Sequence, residues 1–119
     1  MTATLPFVTT PRSERDRLWD HCKNALGVAR LLVREGRPEP LSATACYLAV
    51  ETACRTALEQ AGLPFEGDVA RALGYLSAPF NLWTGQEETP AERLAAAEKT
   101  IGWVAGYLRA ESPDRSWGF

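Results

Sequence analysis

Between residues 41 and 62 the chain runs LSATACYLAVETACRTALEQAG, rich in alanine and free of proline and glycine until its last residue. Such a run has one good conformation, a helix, and its small side chains let neighbouring elements approach closely. At 100° per residue, Cys46, Val50, Ala53, Cys54, Ala57 and Ala61 share a main buried face, widened by Tyr47 and Leu58. Ala45 and Leu48 fall on the far side, so apolar contact is expected almost all the way round. Only the sector of Thr44, Glu51, Arg55 and Glu59 is polar. A helix that is apolar on most sides is enclosed by other helices, which predicts a bundle with this segment at its centre. Gly62 and Pro64 stop it in the expected order.

The flanking segments fit that frame. A first helix is expected over residues 12–35, stopped by Gly36 and Pro38. Its core stripe is Leu18, Cys22, Ala25, Ala29 and Leu32, with Leu26 and Val33 at the edge. A second face carries Arg12, Lys23, Arg30, Arg34 and Arg37, with Arg15 and Trp19 alongside. A short helix is expected over 68–76, with Asp68 as N-cap and Val69, Ala72, Leu73 and Leu76 facing inward. Residues 77–88 form a loop long enough to be either packed by Phe80, Leu82 and Trp83 or functional. The last helix opens on Thr89-Pro90-Ala91-Glu92, a capping box with proline at the first helical position, and ends at Ser112-Pro113. Leu94, Ala97, Ile101, Val104 and Leu108 make its core stripe. Ala96, Thr100, Trp103 and Tyr107 make a second stripe, which calls for another neighbour within the chain or a subunit interface. Aromatic residues are enriched at such interfaces, so Trp103 and Tyr107 are the candidate contacts of a homodimer.

The fold class predicted is therefore all-α, an up-and-down bundle of about four helices, three long and one short. One domain spans residues 1–119, with an extended arm over 1–11 and an apolar tail over 113–119 ending in Trp117 and Phe119. The start, MTATLPFVTTPRSER, has no basic region before an apolar core, so neither a signal peptide nor a membrane anchor is expected and the expected location is cytoplasmic. Cys22, Cys46 and Cys54 are an odd number inside predicted helices and are expected to be small buried residues, not disulfide partners. The overall charge of -2 suggests neither nucleic acid nor membrane by itself. Its distribution is uneven: residues 1–37 carry seven basic and four acidic side chains, and the remainder six and eleven.

Chemistry is sparse. There is no Gly-rich phosphate loop, CxxC, HExxH or strand to carry a nucleophile elbow, and neither a cofactor nor a metal site is expected. The one histidine, His21, lies at the polar edge of the first helix beside Arg17 and Asp20, with no visible acid–base partner. Arg30 and Arg34 offer a surface for an anionic ligand, to which a solvated face is the alternative. Glu51 and Arg55 are a second candidate ligand-binding pair; as a plain helix-surface pair they would contribute about 0.3–0.5 kcal/mol.

Two resemblances bear on function. Histidine phosphotransfer domains are four-helix bundles of similar size with one exposed histidine; here Cys22, Lys23, Asn24 and Ala25 follow His21, so the lysine comes one place early and the glycine is missing. The run ACYLAVETACRTALEQAGL resembles the second long helix of HEPN domains, the nucleotide-binding helical bundles of prokaryotes and higher eukaryotes. Tyr47, Ala49, Glu51, Arg55, Leu58 and Gly62 carry that likeness. The succession of a short helix, DVARALGYL, a variable loop and a long helix extends it over residues 13–110. Active members cleave RNA with an Arg, four to six intervening residues, and a His. No histidine follows residue 21 in this chain, and Arg15 with His21 satisfies the spacing only near the start of the first helix. The resemblance thus implies a non-catalytic HEPN-like domain that binds: a homodimer, a partner of a nucleotidyltransferase, or a nucleotide- or RNA-binding module. The alternatives are a HEPN-type ribonuclease using Arg15 and His21, and a phosphotransfer protein using His21.

Overall fold

The computed structural model describes residues 14–113 and 117–118. They form an all-α bundle of three long helices and one short one: α1 (Glu14–Arg34), α2 (Glu39–Ala61), α3 (Val69–Tyr75) and α4 (Pro90–Glu111). None of these helices is long and apolar enough to cross a membrane. The arm expected over residues 1–11 lies outside the described residues.

Most helix ends follow the residues expected to make them, though α2 opens at Glu39, two residues before Leu41, with Pro40 in its first turn. Gly36 takes φ +65° after α1, and the Arg37 amide then donates to the Leu32 carbonyl at 3.0 Å, the long bond of a Schellman turn. Gly62 repeats the arrangement after α2, with the Leu63 amide donating to Leu58 at 2.9 Å. α3 closes in the same way but without a glycine. Ser77 adopts φ +60°, and the Ala78 amide reaches the Leu73 carbonyl at 2.9 Å. A left-handed residue with a Cβ costs about 1 kcal/mol, so the end of α3 is strained where the others are relaxed. At the start of α4 the capping box is complete: Thr89 Oγ1 accepts from the Glu92 amide, and Glu92 Oε1 from the Thr89 amide, both at 3.1 Å.

Cross-links fix the helix directions. At one end Arg93, in the first turn of α4, reaches Glu39, in the first turn of α2. At the other, Ser112 bonds Gln60 at 3.1 Å, so α2 and α4 run parallel. Arg30 near the end of α1 pairs with Glu98 of α4 at 2.6 Å, so α1 runs antiparallel to both. α2 touches α1, α3 and α4. Its buried face (Ala45, Cys46, Ala49, Val50, Ala53, Cys54, Ala57, Leu58) meets Cys22, Leu26 and Ala29 of α1 and Ala97, Ile101, Val104, Ala105 and Leu108 of α4 in one core. All three cysteines are free and buried. Burial pushes the Cys22 and Cys54 thiols up to about 12, which keeps them neutral and unreactive.

Three expectations are corrected. α2 is not enclosed on all sides: Leu41, Tyr47, Leu48 and Ala61 are exposed, because its three helical neighbours leave one flank to water. The buried centre of α1 is Trp19, Cys22, Leu26 and Ala29; Leu18, Ala25 and Leu32 are only half-buried. Trp19, placed beside the basic face by its register, is 3% exposed. The cause is the tail. Trp117 packs edge-on against Trp19 with ring centroids 5.6 Å apart, and the Trp19 indole donates to the Gly118 carbonyl at 3.3 Å. A long-range partner thus turns an aromatic that looked peripheral into core.

Candidate functional site

α3 is seven residues long, too short to cover the flank of α2 it lies against. Asp68 starts it by accepting from the Ala70 and Arg71 amides at 2.9 and 3.3 Å. Ala70 and Gly74 present almost no side chain to the gap. Opposite them on α2 are Ala43, Thr44 and Tyr47, and residues 78–85 of the following loop close the third side. The result is an open groove of about 760 Å³, within the ~300–1,000 Å³ range of small-molecule sites. Its walls are mainly apolar: Val69 and Leu73 from α3, Leu82 and Trp83 from the loop. Phe80 stands wholly exposed at the edge. Loss of hydration where the exposed Tyr47 leans into the groove, then the Glu51 carboxylate, raises its phenol above the ordinary value, so at neutral pH it is a hydroxyl able to donate.

The loop wall is held from beneath. The buried Trp83 amide donates to Thr100 Oγ1 at 2.8 Å, while that hydroxyl donates to the Ala96 carbonyl, also at 2.8 Å. The Thr84 amide and hydroxyl donate to Glu87 Oε2 at 3.1 and 3.0 Å. Of the three residues expected to pack this loop, Leu82 and Trp83 do and Phe80 does not. Thr100 also accounts for part of the second stripe of α4, whose intrachain neighbour is the loop. The remaining members, Trp103 and Tyr107, are half-buried and stack on each other, 5.9 Å between centroids at 27°.

Arg93 is the charged group in the groove lining that sequence reasoning missed. Its side chain is only 8% exposed. Nη2 donates to Glu39 Oε1 at 3.1 Å and to the Glu87 carbonyl at 2.9 Å. Nη1 is buried with no hydrogen-bond partner, and so is Glu87 Oε1. A buried donor without an acceptor costs about 1–3 kcal/mol, and a buried guanidinium also loses its hydration. The side chain of its one carboxylate partner, Glu39, is 54% exposed, so the ion pair is buried on one side and wet on the other. A signal for Arg93 does exist in the sequence: it continues the Ala97, Ile101, Val104, Leu108 stripe one turn back, where a charge is out of place.

The structure does not gather the other candidate residues into one surface. Glu51 and Arg55 form an i,i+4 pair at 3.0 Å, and the Arg55 guanidinium lies 4.5 Å over the Phe65 ring. The hollow beside Arg55, lined by Glu14, Leu58, Leu63 and Phe65, holds about 130 Å³, too small for a nucleotide. Arg30 is engaged by Glu98. Arg34 is exposed at the end of α1, roughly 20 Å along the hairpin from Arg55 at 1.5 Å per residue. Arg15 turns inward: it donates to Gln60 Oε1 at 2.8 Å and sits 5.4 Å over the Trp117 ring. His21 is exposed, and six positions on one helix put it about 120° around the axis from Arg15. Those two side chains are not brought together.

Comparison with protein-family models, curated proteins and solved structures found no match to this chain.

Proposed function

We propose that this chain is a non-catalytic, HEPN-like binding domain whose ligand occupies the groove between α2, α3 and the loop that follows α3. One observation carries the reading: a 760 Å³ apolar groove includes in its lining a buried arginine with an unpartnered guanidinium nitrogen. Among the described residues the lining contains no histidine or cysteine, and its one carboxylate, Asp68, is occupied in capping α3. Within this reading a nucleotide, an RNA or a nucleotidyltransferase is a candidate partner, and Trp103 with Tyr107 is the contact of a homodimer. Trp103→Ala is then expected to give the mass of one chain in sedimentation; an unchanged mass removes those two residues from the argument.

The groove itself is tested by titrating the ¹⁵N-labelled protein with a small panel of acids, amides, amines and mononucleotides, and separately with an RNA oligonucleotide. Saturable shifts centred on the amides of Ala70, Gly74 and Gly85 are expected, with the RNA left intact. Shifts centred instead on Arg30 and Arg34, or on Glu51 and Arg55, would move the site elsewhere. Cleavage of the RNA that Arg15→Ala and His21→Ala both abolish would make the chain an enzyme.

A further inference from the structure

We propose that the groove selects an apolar molecule carrying a single carboxylate, which docks on Arg93; this rests on the groove being the binding site. Three observations lead there, two on the Arg93 corner and one on the groove beside it. The guanidinium is sealed into the wall yet lacks an acceptor for Nη1. Its present partner, Glu39, is more than half in water and can turn outward when another carboxylate arrives. The rest of the groove, from Leu73 and Val69 to Leu82 and Trp83, offers a surface for an apolar body and, among the described residues, no second cation.

Charge decides which anion fits. Glu39 lies 3.1 Å from Arg93, Glu87 Oε1 is buried in the same corner without a donor, and Asp68 lines the groove. One guanidinium beside two carboxylates, with Asp68 elsewhere in the lining, can accept one more negative charge by exchanging partners. It cannot neutralise the several charges of a di- or triphosphate, which binding sites ordinarily meet with several cations or a row of backbone amides. A planar carboxylate also matches the flat fork of the guanidinium, and a volume of about 760 Å³ has room for a ring on a short arm.

The test uses 4-phenylbutyrate, its neutral isostere 4-phenylbutyramide, and AMP, each titrated into the full chain and followed by calorimetry and by amide shifts. The acid is expected to bind at least about tenfold more tightly than the amide, the range of one charge-assisted hydrogen bond, and more tightly than AMP. Arg93→Gln is expected to bring the acid-to-amide ratio close to one while leaving the amide's affinity within about twofold, as the loss of a single charge-assisted contact requires. Gly74→Leu fills the groove from a position with open space around its Cβ; it is expected to abolish binding of both phenyl compounds. This second variant, with the wild-type acid-to-amide ratio, decides the matter if Arg93→Gln does not fold. Equal affinities for acid and amide, or tighter binding of AMP, would overturn the carboxylate preference while leaving the groove as the site. Absence of groove shifts with all three probes would overturn both.

Discussion

On the side of α2 that faces α1 and α4, Cys22, Leu26, Ile101, Val104 and Leu108 are all sealed from water. On the side that faces α3, the walls stop short, Phe80 stands in solvent and a guanidinium nitrogen lacks a partner. Both sides are rich in small residues. Where α2 meets a long helix, alanine lets the backbones close and larger side chains from the neighbour fill the seam. Where it meets α3, the neighbour is itself small-sided at Ala70 and Gly74, and the same economy leaves a groove. The strained turn at Ser77 and the hydrogen bond from Trp83 to Thr100 belong to the open side as well. A closed half supplies the stability; an open half of lower local stability is where a ligand can be accommodated.

The sharpest way to break this contrast is to cut equivalent side chains from each half. Ile101→Ala is expected to cost about 4 kcal/mol, because the sealed core cannot collapse onto the cavity. Leu73→Ala, at the groove wall, is expected to cost about 2 kcal/mol, since water entering from the open groove can fill the space. Equal losses in urea denaturation would mean that the two halves are packed alike. Next comes the tie between them. Thr100→Val keeps shape but leaves the buried Trp83 amide without an acceptor, an expected loss of about 2 kcal/mol. Faster hydrogen exchange at Trp83 should accompany it, with the amides of Leu26 and Ala53 unchanged at equal global stability.

Alkali should act mainly on the closed half, with smaller contributions from the raised Cys46 thiol and the raised Tyr47 phenol at the groove. The Cys22 and Cys54 thiols are raised from an ordinary 9.0 to about 12 by burial. Between those values the unfolded thiols lose protons that the folded ones keep, so the unfolded state gains. Stability is therefore whole below pH 9 and falls above it, by about 1.4 kcal/mol per pH unit for each thiol. The double variant Cys22→Ala/Cys54→Ala should flatten that fall; an unchanged slope would assign it to other groups. Smallest of all, Ser77→Gly relieves the left-handed turn after α3 and should stabilise by about 1 kcal/mol. Any destabilisation would show that the serine side chain contributes something not visible in its contacts.

Much of the closed half was legible in the sequence. Helix ends were marked by Gly36, Gly62 and the Thr89–Glu92 capping box, signals that act over a few residues. The core stripes of α2 and α4 follow from register except at Tyr47 and Ala61, which are exposed, and Leu94, which is half-buried, and the all-α bundle follows from them. Trp19 was misplaced because its partner, Trp117, is far away in sequence, and periodicity on α1 carries no trace of the tail. The open half was nearly invisible. A groove made by what Ala43, Gly67, Ala70 and Gly74 lack leaves no motif, since it takes shape only when three separate segments meet. Arg93 did leave a mark, a charge on an apolar stripe. Glu51 and Arg55 drew attention as the polar sector of α2, and in the structure they form a surface pair stacked on Phe65.

Residue-resolved hydrogen exchange, measured with and without saturating 4-phenylbutyrate, tests the division between the halves most directly. In the free protein, amides over residues 69–85 should exchange through local opening at lower free energy than those of Ala53, Ile101 and Val104, which should require global unfolding. With the acid bound, added local protection should be confined to residues 69–85, the neighbouring turn of α2 around Tyr47 and the first turn of α4 around Arg93. Uniform protection across the free chain, or a ligand response centred on α1 and the far end of α4, would contradict the account.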